Sequence, residues 1–140
     1  MRFRAITLDA RQDELEKTEK FWIEGFGYQR ARASGPFVVL SHDRPDWPEI
    51  ILQRVEEPKS TKSPVHVDIE SPDVDADAAL LKDLGGHELR DVSERGRRWL
   101  VLGDPAGNEL CLVTERDDDL GRPQPVSRST TRVVNTKPQV

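Results

Sequence analysis

An internal repeat with a period of about 60 residues constrains the fold of this 140-residue chain more than any other feature. Gly27 lies 58 residues before Gly85, and each glycine follows a segment with helical periodicity. Gln53 lies 58 residues before Cys111, and each belongs to a segment whose apolar residues alternate as in a strand. This period is too long for a solenoid repeat but fits two copies of a β-α-β-β-β unit. One copy is too small to bury its own sheet face, so the sequence predicts two modules that fold together.

Apolar periodicity and turn residues place the same elements in each copy. In the first copy the predicted elements are a strand in "FRAITLDA", a helix in "DELEKTEKFWIEGFGY" and strands in "FVVLSH" and "EIILQRV". In the second copy they are a strand in "VHVDIES", a helix in "DVDADAALLKDLGG" and strands in "RRWLVLGD" and "NELCLVT". We expect the first helix to begin at a capping box of Asp13 and Glu16 and to end at Gly27. The segment "DPAGN" predicts a type I turn with Asp104 at its first position.

The repeat also sets the domain organisation. We expect one α+β domain over residues 1–115, with modules at about 3–56 and 64–115 joined by a polar linker. Residues 116–140 contain acids, then prolines, then basic and hydroxyl residues, which predicts a flexible polar tail. The alternative is that "TTRVV" within the tail adds a strand to the sheet edge of its own chain or of a partner.

Composition narrows the classes of partner. The net charge of -5, without a basic stripe, argues against nucleic-acid binding. A single cysteine excludes an intrachain disulfide. No apolar run approaches the roughly 18 residues of a membrane span, and the first ten residues lack the apolar stretch of a signal peptide. We therefore expect a cytoplasmic protein that binds neither nucleic acid nor membrane.

The order of these motifs resembles the vicinal oxygen chelate superfamily, which includes the glyoxalases, bleomycin-resistance proteins and extradiol dioxygenases. It is most similar to the glyoxalase-like domain branch. The segments that carry the resemblance are "FWIEGFGYQ", "IILQRVEEPKSTKSPVHVDIES" and "WLVLGDPAGNELCLV", and it covers residues 3–114. The resemblance implies two tandem β-α-β-β-β modules around a U-shaped cleft, and a homodimer. It does not fix the reaction, because this fold hosts many chemistries.

The resemblance also implies where a divalent metal would lie, with one ligand from the first and one from the last strand of each module. Carried over by position, the four places are Ala5 (or Arg4), Gln53, His66 and Cys111. Alanine cannot ligate and arginine repels a cation, so we expect no cofactor. The alternative is a site for Zn, Mn, Fe or Ni formed by Gln53, His66 and Glu109.

Strand alternation predicts which side chains face the cleft. The expected ligand-binding residues are Ala5, Thr7, Trp47, Gln53, His66, Asp68, Trp99 and Cys111. The two tryptophans offer stacking surfaces, although each also fits a role in core or hairpin packing. His66 and Glu109 are the candidate catalytic residues, because histidine titrates near neutral pH. A cysteine in mid-strand between leucines is typical of an inert small apolar side chain rather than a nucleophile.

Three functions stay open from the sequence. The first is binding of a small aromatic or drug-like molecule without a full metal site, with or without acid-base catalysis. The second is a divalent-metal-dependent lyase, isomerase or dioxygenase. The third is an interaction protein that uses its tail.

Overall fold

The computed structural model describes residues 1–94 and 97–114, which form two modules with the same order of elements. The first module contains β1 (Ala5–Arg11), α1 (Leu15–Phe26), β2 (Gln29–Ser34), β3 (Phe37–Ser41) and β4 (Glu49–Val55). The second contains β5 (Val67–Ser71), α2 (Val74–Asp83), β6 (His87–Glu94), β7 (Arg97–Gly103) and β8 (Glu109–Thr114). The predicted α+β fold of two tandem β-α-β-β-β modules is confirmed. The predicted tail at 116–140 lies outside the described residues.

Each module folds its four strands into one sheet, and the two sheets match in strand order. The strand orders are β1-β4-β3-β2 and β5-β8-β7-β6. The first two strands in each order are parallel to each other, β1 with β4 and β5 with β8. In the first sheet Gln53 lies opposite Asp9, and in the second Cys111 lies opposite Asp68. The two modules are therefore topological copies, as the sequence repeat predicts.

The edge strands β2 and β6 were not individually visible in the sequence pattern. Every residue of β2 is exposed, and β6 is exposed except at the half-buried Val92. Charged side chains on an edge strand discourage pairing with other chains, and they also remove the apolar alternation that marks a strand.

Helix α1 ends as predicted but begins differently. Gly27 follows its last turn with φ of 78°, and its N–H bonds to the Ile23 carbonyl at 3.0 Å, a left-handed helix end that glycine favours. The predicted capping box is wrong. Asp13 instead forms an ion pair with Arg11 at 3.0 Å, while the carboxylate of Glu14 accepts from the Arg11 backbone N–H at 3.0 Å.

Both modules share one apolar core. It takes alternate residues from the central strands of each sheet together with one face of each helix, and its fully buried members include Phe21, Leu40, Leu52, Leu81, Leu100, Leu102, Leu110 and Leu112. The helices touch where α1 has a glycine, because a Cβ placed on Gly25 would lie 2.7 Å from the Leu81 side chain. Neither module encloses a core of its own. No helix among the described residues is long and apolar enough to span a bilayer.

The turn between β7 and β8 links the modules through hydrogen bonds. The predicted turn closes with a 2.8 Å bond from the Gly107 N–H to the Asp104 carbonyl. Asp104 also accepts from the indole of Trp22 on α1 at 3.0 Å, and Asn108 donates to the backbone carbonyl of Asp9 on β1 at 2.9 Å. These contacts fix β1 relative to β8.

Candidate functional site

A cavity of about 370 Å³, here called the intermodule cavity, is lined by residues from both modules. Its lining consists of Ile6, Leu8, Trp22, Tyr28, Arg44, Asp46, Trp47, Pro48, Ile50, Val67, Asp68, Ile69 and Glu70. The first module contributes the core-facing residues of β1, part of α1 and the loop before β4. The second contributes β5, an outermost strand of its sheet.

Three aromatic side chains, Trp22, Tyr28 and Trp47, form what we call the aromatic wall of the cavity. The rings of Tyr28 and Trp47 have centroids 5.9 Å apart, and the Tyr28 hydroxyl donates to the Pro48 carbonyl at 2.8 Å. Trp47 is stacked on His42 with centroids 4.5 Å apart. Burial raises the pKa of Tyr28 to about 12, so its phenol stays protonated at neutral pH. The wall is therefore held in place by contacts that need no ligand.

Three acidic residues, Asp46, Asp68 and Glu70, are among the lining residues. The guanidinium of Arg44 donates two hydrogen bonds to Asp46, at 3.2 and 2.8 Å. The same guanidinium lies 5.8 Å from the ring centroid of Trp47, within the range of a cation–π contact. An ion pair between Arg44 and Asp46 thus lies beside Trp47 in the cavity lining.

Asp68 also belongs to a cluster on the other face of the second sheet, the polar triad of His66, Asp68 and Cys111. His66 Nδ1 lies 3.0 Å from an Asp68 carboxylate oxygen and 3.5 Å from Cys111 Sγ. An ionised carboxylate only accepts, so the His66 tautomer that fits this contact carries a proton on Nδ1 and has its acceptor at Nε2. Asp68 therefore orients an imidazole whose second nitrogen is available to take a proton.

The Cys111 side chain is buried within this triad and is not activated. Burial and then the negative charge of Asp68 raise the pKa of the Cys111 thiol to about 11. A reactive cysteine needs a lowered pKa. The thiol stays protonated at neutral pH, which favours the interpretation of Cys111 as an inert side chain.

Glu109 lies on the same strand face as Cys111, but its carboxylate is bound to the linker between the modules. It accepts from the Ser63 backbone N–H and pairs with the Lys59 ammonium at 3.1 Å. Although burial acts to raise it, these contacts hold the pKa of Glu109 below its usual value. Glu109 thus anchors the linker, and the carboxylate that contacts His66 is that of Asp68.

The residues predicted from the sequence divide between two faces. Trp47 and Asp68 line the intermodule cavity, and His66 and Cys111 join Asp68 in the polar triad. The remaining four lie on strand faces opposite the shared core: Ala5, Thr7 and Gln53 in the first sheet and Trp99 in the second. The sequence reasoning missed Trp22 and Tyr28 as cavity residues. Their only signal was apolar spacing, which equally marks a core position.

The metal places implied by the resemblance do not form a complete set. Ala5 supplies no ligand atom. Among the described residues, the candidate ligand atoms that lie within 4.8 Å of one another belong to His66, Asp68 and Cys111. Asp68 belongs to this group, whereas Glu109, which the sequence suggested, does not.

The fold and the sequence pattern agree with one family. The family model described as "Glyoxalase-like domain" matches residues 5–113. The chain belongs to this glyoxalase-like domain family. The resemblance inferred from the motifs is confirmed, and the match spans both modules of the glyoxalase-like domain. No curated protein matches the chain.

Solved structures show the same fold at low sequence identity. A genomically encoded fosfomycin resistance protein from Listeria monocytogenes, in complex with Mn(II) and 1S,2S-dihydroxypropylphosphonic acid, has a TM-score of 0.68 at 16% identity, covering 84% of this chain and 92% of that one. A glyoxalase-related enzyme from Fulvimarina pelagi has a TM-score of 0.65 at 17% identity, covering 81% and 88%. Lactoylglutathione lyase from Agrobacterium tumefaciens has a TM-score of 0.56 at 19% identity, covering 81% and 92%. At these identities the similarity shows the fold alone.

Proposed function

We propose that this glyoxalase-like domain binds a small aromatic or drug-like molecule in the intermodule cavity, without a full metal site. The observation that carries the proposal is a cavity of about 370 Å³ with three aromatic side chains in its lining. Small-molecule sites usually occupy roughly 300 to 1,000 Å³, with apolar walls and a few polar groups. This cavity has both properties.

The aromatic wall supports an aromatic ligand in particular. Stacked or edge-on ring pairs contribute about 0.5 to 1.5 kcal/mol beyond the area that they bury. The Tyr28 hydroxyl and the Trp22 indole N–H are already bonded within the protein. Both of these rings are almost fully buried, so the half-buried Trp47 is the aromatic side chain that offers a ligand most surface.

The His66–Asp68 pair offers proton transfer on the face of the second sheet opposite the shared core. His66 is not among the residues that line the intermodule cavity. An imidazole oriented by a carboxylate acts as a general base through its Nε2 atom. We propose that, in any reaction of a ligand that contacts this face of the second sheet, His66 accepts the proton and Asp68 positions it.

The test is a thermal-shift screen of aromatic and drug-like compounds followed by calorimetric titration of each hit. A ligand at a hundredfold excess over its Kd stabilises the fold by about 2.7 kcal/mol. Trp47→Ala should abolish the shift, whereas Trp99→Ala, a matched change outside the cavity lining, should retain it. The unliganded melting temperature of each variant separates lost binding from lost folding. Equal loss in both variants would place the ligand elsewhere.

A second candidate function, a divalent-metal-dependent lyase, isomerase or dioxygenase, is favoured by the polar triad. A nitrogen, an oxygen and a sulfur donor suit an ion such as zinc, which deprotonates a coordinating thiol. Elemental analysis of protein purified without a metal-affinity tag tests this directly. One ion per chain, lost in His66→Ala, would favour this function over the first.

We also propose that the chain is a cytoplasmic homodimer. Light scattering of the full chain measures the mass, and deletion of residues 117–140 tests the tail as the interaction element. A dimer that survives the deletion supports a contact between the folded modules. A dimer lost on deletion supports the tail-based alternative.

A further inference from the structure

We propose that His42 is the positioning residue of the intermodule cavity, because its neutral imidazole ties the end of α1 to the turn that carries Trp47. This inference rests on the proposed function, since Trp47 is the half-buried aromatic side chain that a ligand in the cavity meets. His42 itself is not among the lining residues. It therefore acts on ligand binding through Trp47 and not by touching the ligand.

Both ring nitrogens of His42 are used within the protein. Nε2 lies 2.9 Å from the backbone carbonyl oxygen of Phe26, the last residue of α1. Nδ1 lies 3.0 Å from the backbone nitrogen of Arg44 and accepts its N–H. A carbonyl oxygen only accepts and a backbone N–H only donates, so the ring that satisfies both contacts is neutral with its proton on Nε2. A protonated ring would set a second N–H against that of Arg44.

The Nδ1 bond holds the turn between β3 and β4, which forms one side of the cavity. Asn and Asp side chains stabilise turns by bonding to the backbone two residues on, and His42 makes the same bond to Arg44. The turn then closes with a 3.1 Å bond from the Trp47 N–H to the Arg44 carbonyl oxygen. Arg44 is thus joined to His42 through its N–H and to Trp47 through its carbonyl oxygen.

The His42 ring also supports the Trp47 indole directly. The two rings are stacked, with centroids 4.5 Å apart and planes 24° from parallel. Tyr28 packs edge-on against His42 at 5.0 Å and bonds to the carbonyl of Pro48, the residue after Trp47. Removing the imidazole would therefore remove the stack, the tether to the turn and the link to α1 together.

Matched variants separate these contributions. His42→Asn places an oxygen near the position of Nδ1 and keeps the bond to Arg44, whereas His42→Gln places an amide near Nε2 and keeps the bond to Phe26. His42→Phe keeps a ring against Trp47 but makes neither hydrogen bond. His87→Asn, at an exposed position outside the cavity lining, is the control.

Nuclear magnetic resonance reads the positioning without a ligand. The ¹⁵N-labelled His42 ring should be neutral at pH 7 with its proton on Nε2. Hydrogen exchange of the Arg44 amide should be about two- to tenfold faster in His42→Phe, while His42→Asn should keep the rate of the unmodified protein. The indole N–H signal of Trp47, assigned with Trp47→Phe, should move in His42→Phe and stay in His87→Asn. An unchanged Arg44 rate in His42→Phe would overturn the inference.

Calorimetric titration with 2-naphthol at pH 7 reads the effect on the cavity. His42→Phe should weaken binding by about three- to tenfold, His42→Asn and His42→Gln by less, and His87→Asn should leave it unchanged. The melting temperature of each variant separates lost positioning from lost folding.

The outcomes separate this inference from the proposed function. If 2-naphthol binds every His42 variant as tightly as the unmodified protein, His42 does not position the site, while the aromatic site stands. If neither 2-naphthol nor any aromatic compound of the screen binds the unmodified protein, the proposed function fails and the role of His42 in binding fails with it. The Arg44 exchange rates then still decide whether His42 holds the turn.

Discussion

The indole N–H of Trp22 donates a 3.0 Å hydrogen bond to the carboxylate of Asp104, joining α1 of the first module to the β7–β8 turn of the second. Asp104 is fully buried. Burial raises the pKa of its carboxyl group, while the hydrogen bonds it accepts from Trp22, Asn108 and Ala106 act in the opposite direction. One carboxylate thereby closes its own turn and ties that turn to the other module.

Replacing this carboxylate should destabilise the whole fold. In Asp104→Asn an amide group faces N–H donors, so at least one of Trp22 Nε1, Ala106 N and Asn108 N loses its acceptor. We expect a loss of about 2 to 3 kcal/mol in the free energy of unfolding, measured by urea denaturation with tryptophan fluorescence. Asp43→Asn, the same change at an exposed site, should stay within about 0.5 kcal/mol. An equal loss of unfolding free energy in the two variants would show that Asp104 does not join the modules.

The anchoring of the linker by Glu109 should make stability fall in acid. A carboxyl group whose pKa is lowered by folding stabilises the native state above its unfolded value, near 4.5, and this stabilisation is lost as the pH falls through the lowered folded value. Glu109→Gln should therefore lower the melting temperature at pH 7, and the difference from the unmodified protein should shrink by pH 4. A difference that stays constant across this range would mean that the Glu109 charge is not involved.

The thiol of Cys111 should react slowly in the folded protein. With its pKa raised to about 11, its thiolate population at pH 7 is at least about a hundredfold below that of a free cysteine. Iodoacetamide labelling followed by mass spectrometry is unambiguous here, because the chain has one cysteine. The urea-unfolded chain serves as the control and should label at the rate of a free thiol. Equally fast labelling of both states would refute the raised pKa.

Two glycines should differ in their tolerance of a methyl group. A Cβ on Gly86 would lie 2.8 Å from both the Leu81 carbonyl oxygen and the Phe21 ring, where buried groups cannot yield, so Gly86→Ala should cost about 1 to 3 kcal/mol. A Cβ on Gly103 would meet the ring of His87, an exposed residue whose side chain can rotate away. Gly103→Ala should therefore cost less than Gly86→Ala in urea unfolding, and the reverse order would contradict the packing described.

Much of the fold was predictable because its signals are local. The glycine at position 27 marks the end of α1, and the alternation around Cys111 places Glu109 and Cys111 on one strand face and the core leucines on the other. Each of these signals depends on residues a few positions apart. The start of α1 depends instead on Arg11, which pairs with Asp13 and thereby removes it from the cap.

The candidate site was less predictable because it is made by contacts distant in sequence. Helical spacing marked Trp22 as a core residue but contains nothing to show that the core opens into a cavity beside β5. Glu109 looked free for chemistry, yet the linker folds back and presents Lys59 and Ser63 to it. Tertiary packing decides which groups a side chain such as Glu109 contacts. The alternation of apolar and polar residues along a single strand contains no information about those contacts.

The two faces of each central strand differ in what they contribute to the protein, because only the inward face belongs to the shared core. Leucines on the inward face belong to the core that both modules share. A substitution at Leu52 or Leu110 therefore affects the cooperative unfolding of the entire molecule. The outward positions, such as Gln53 and Cys111, lie outside that network. At half-buried outward positions such as Gln53 the side chain can change at little cost in folding, so a duplicated scaffold of this design can alter the chemistry of that face without first becoming unstable.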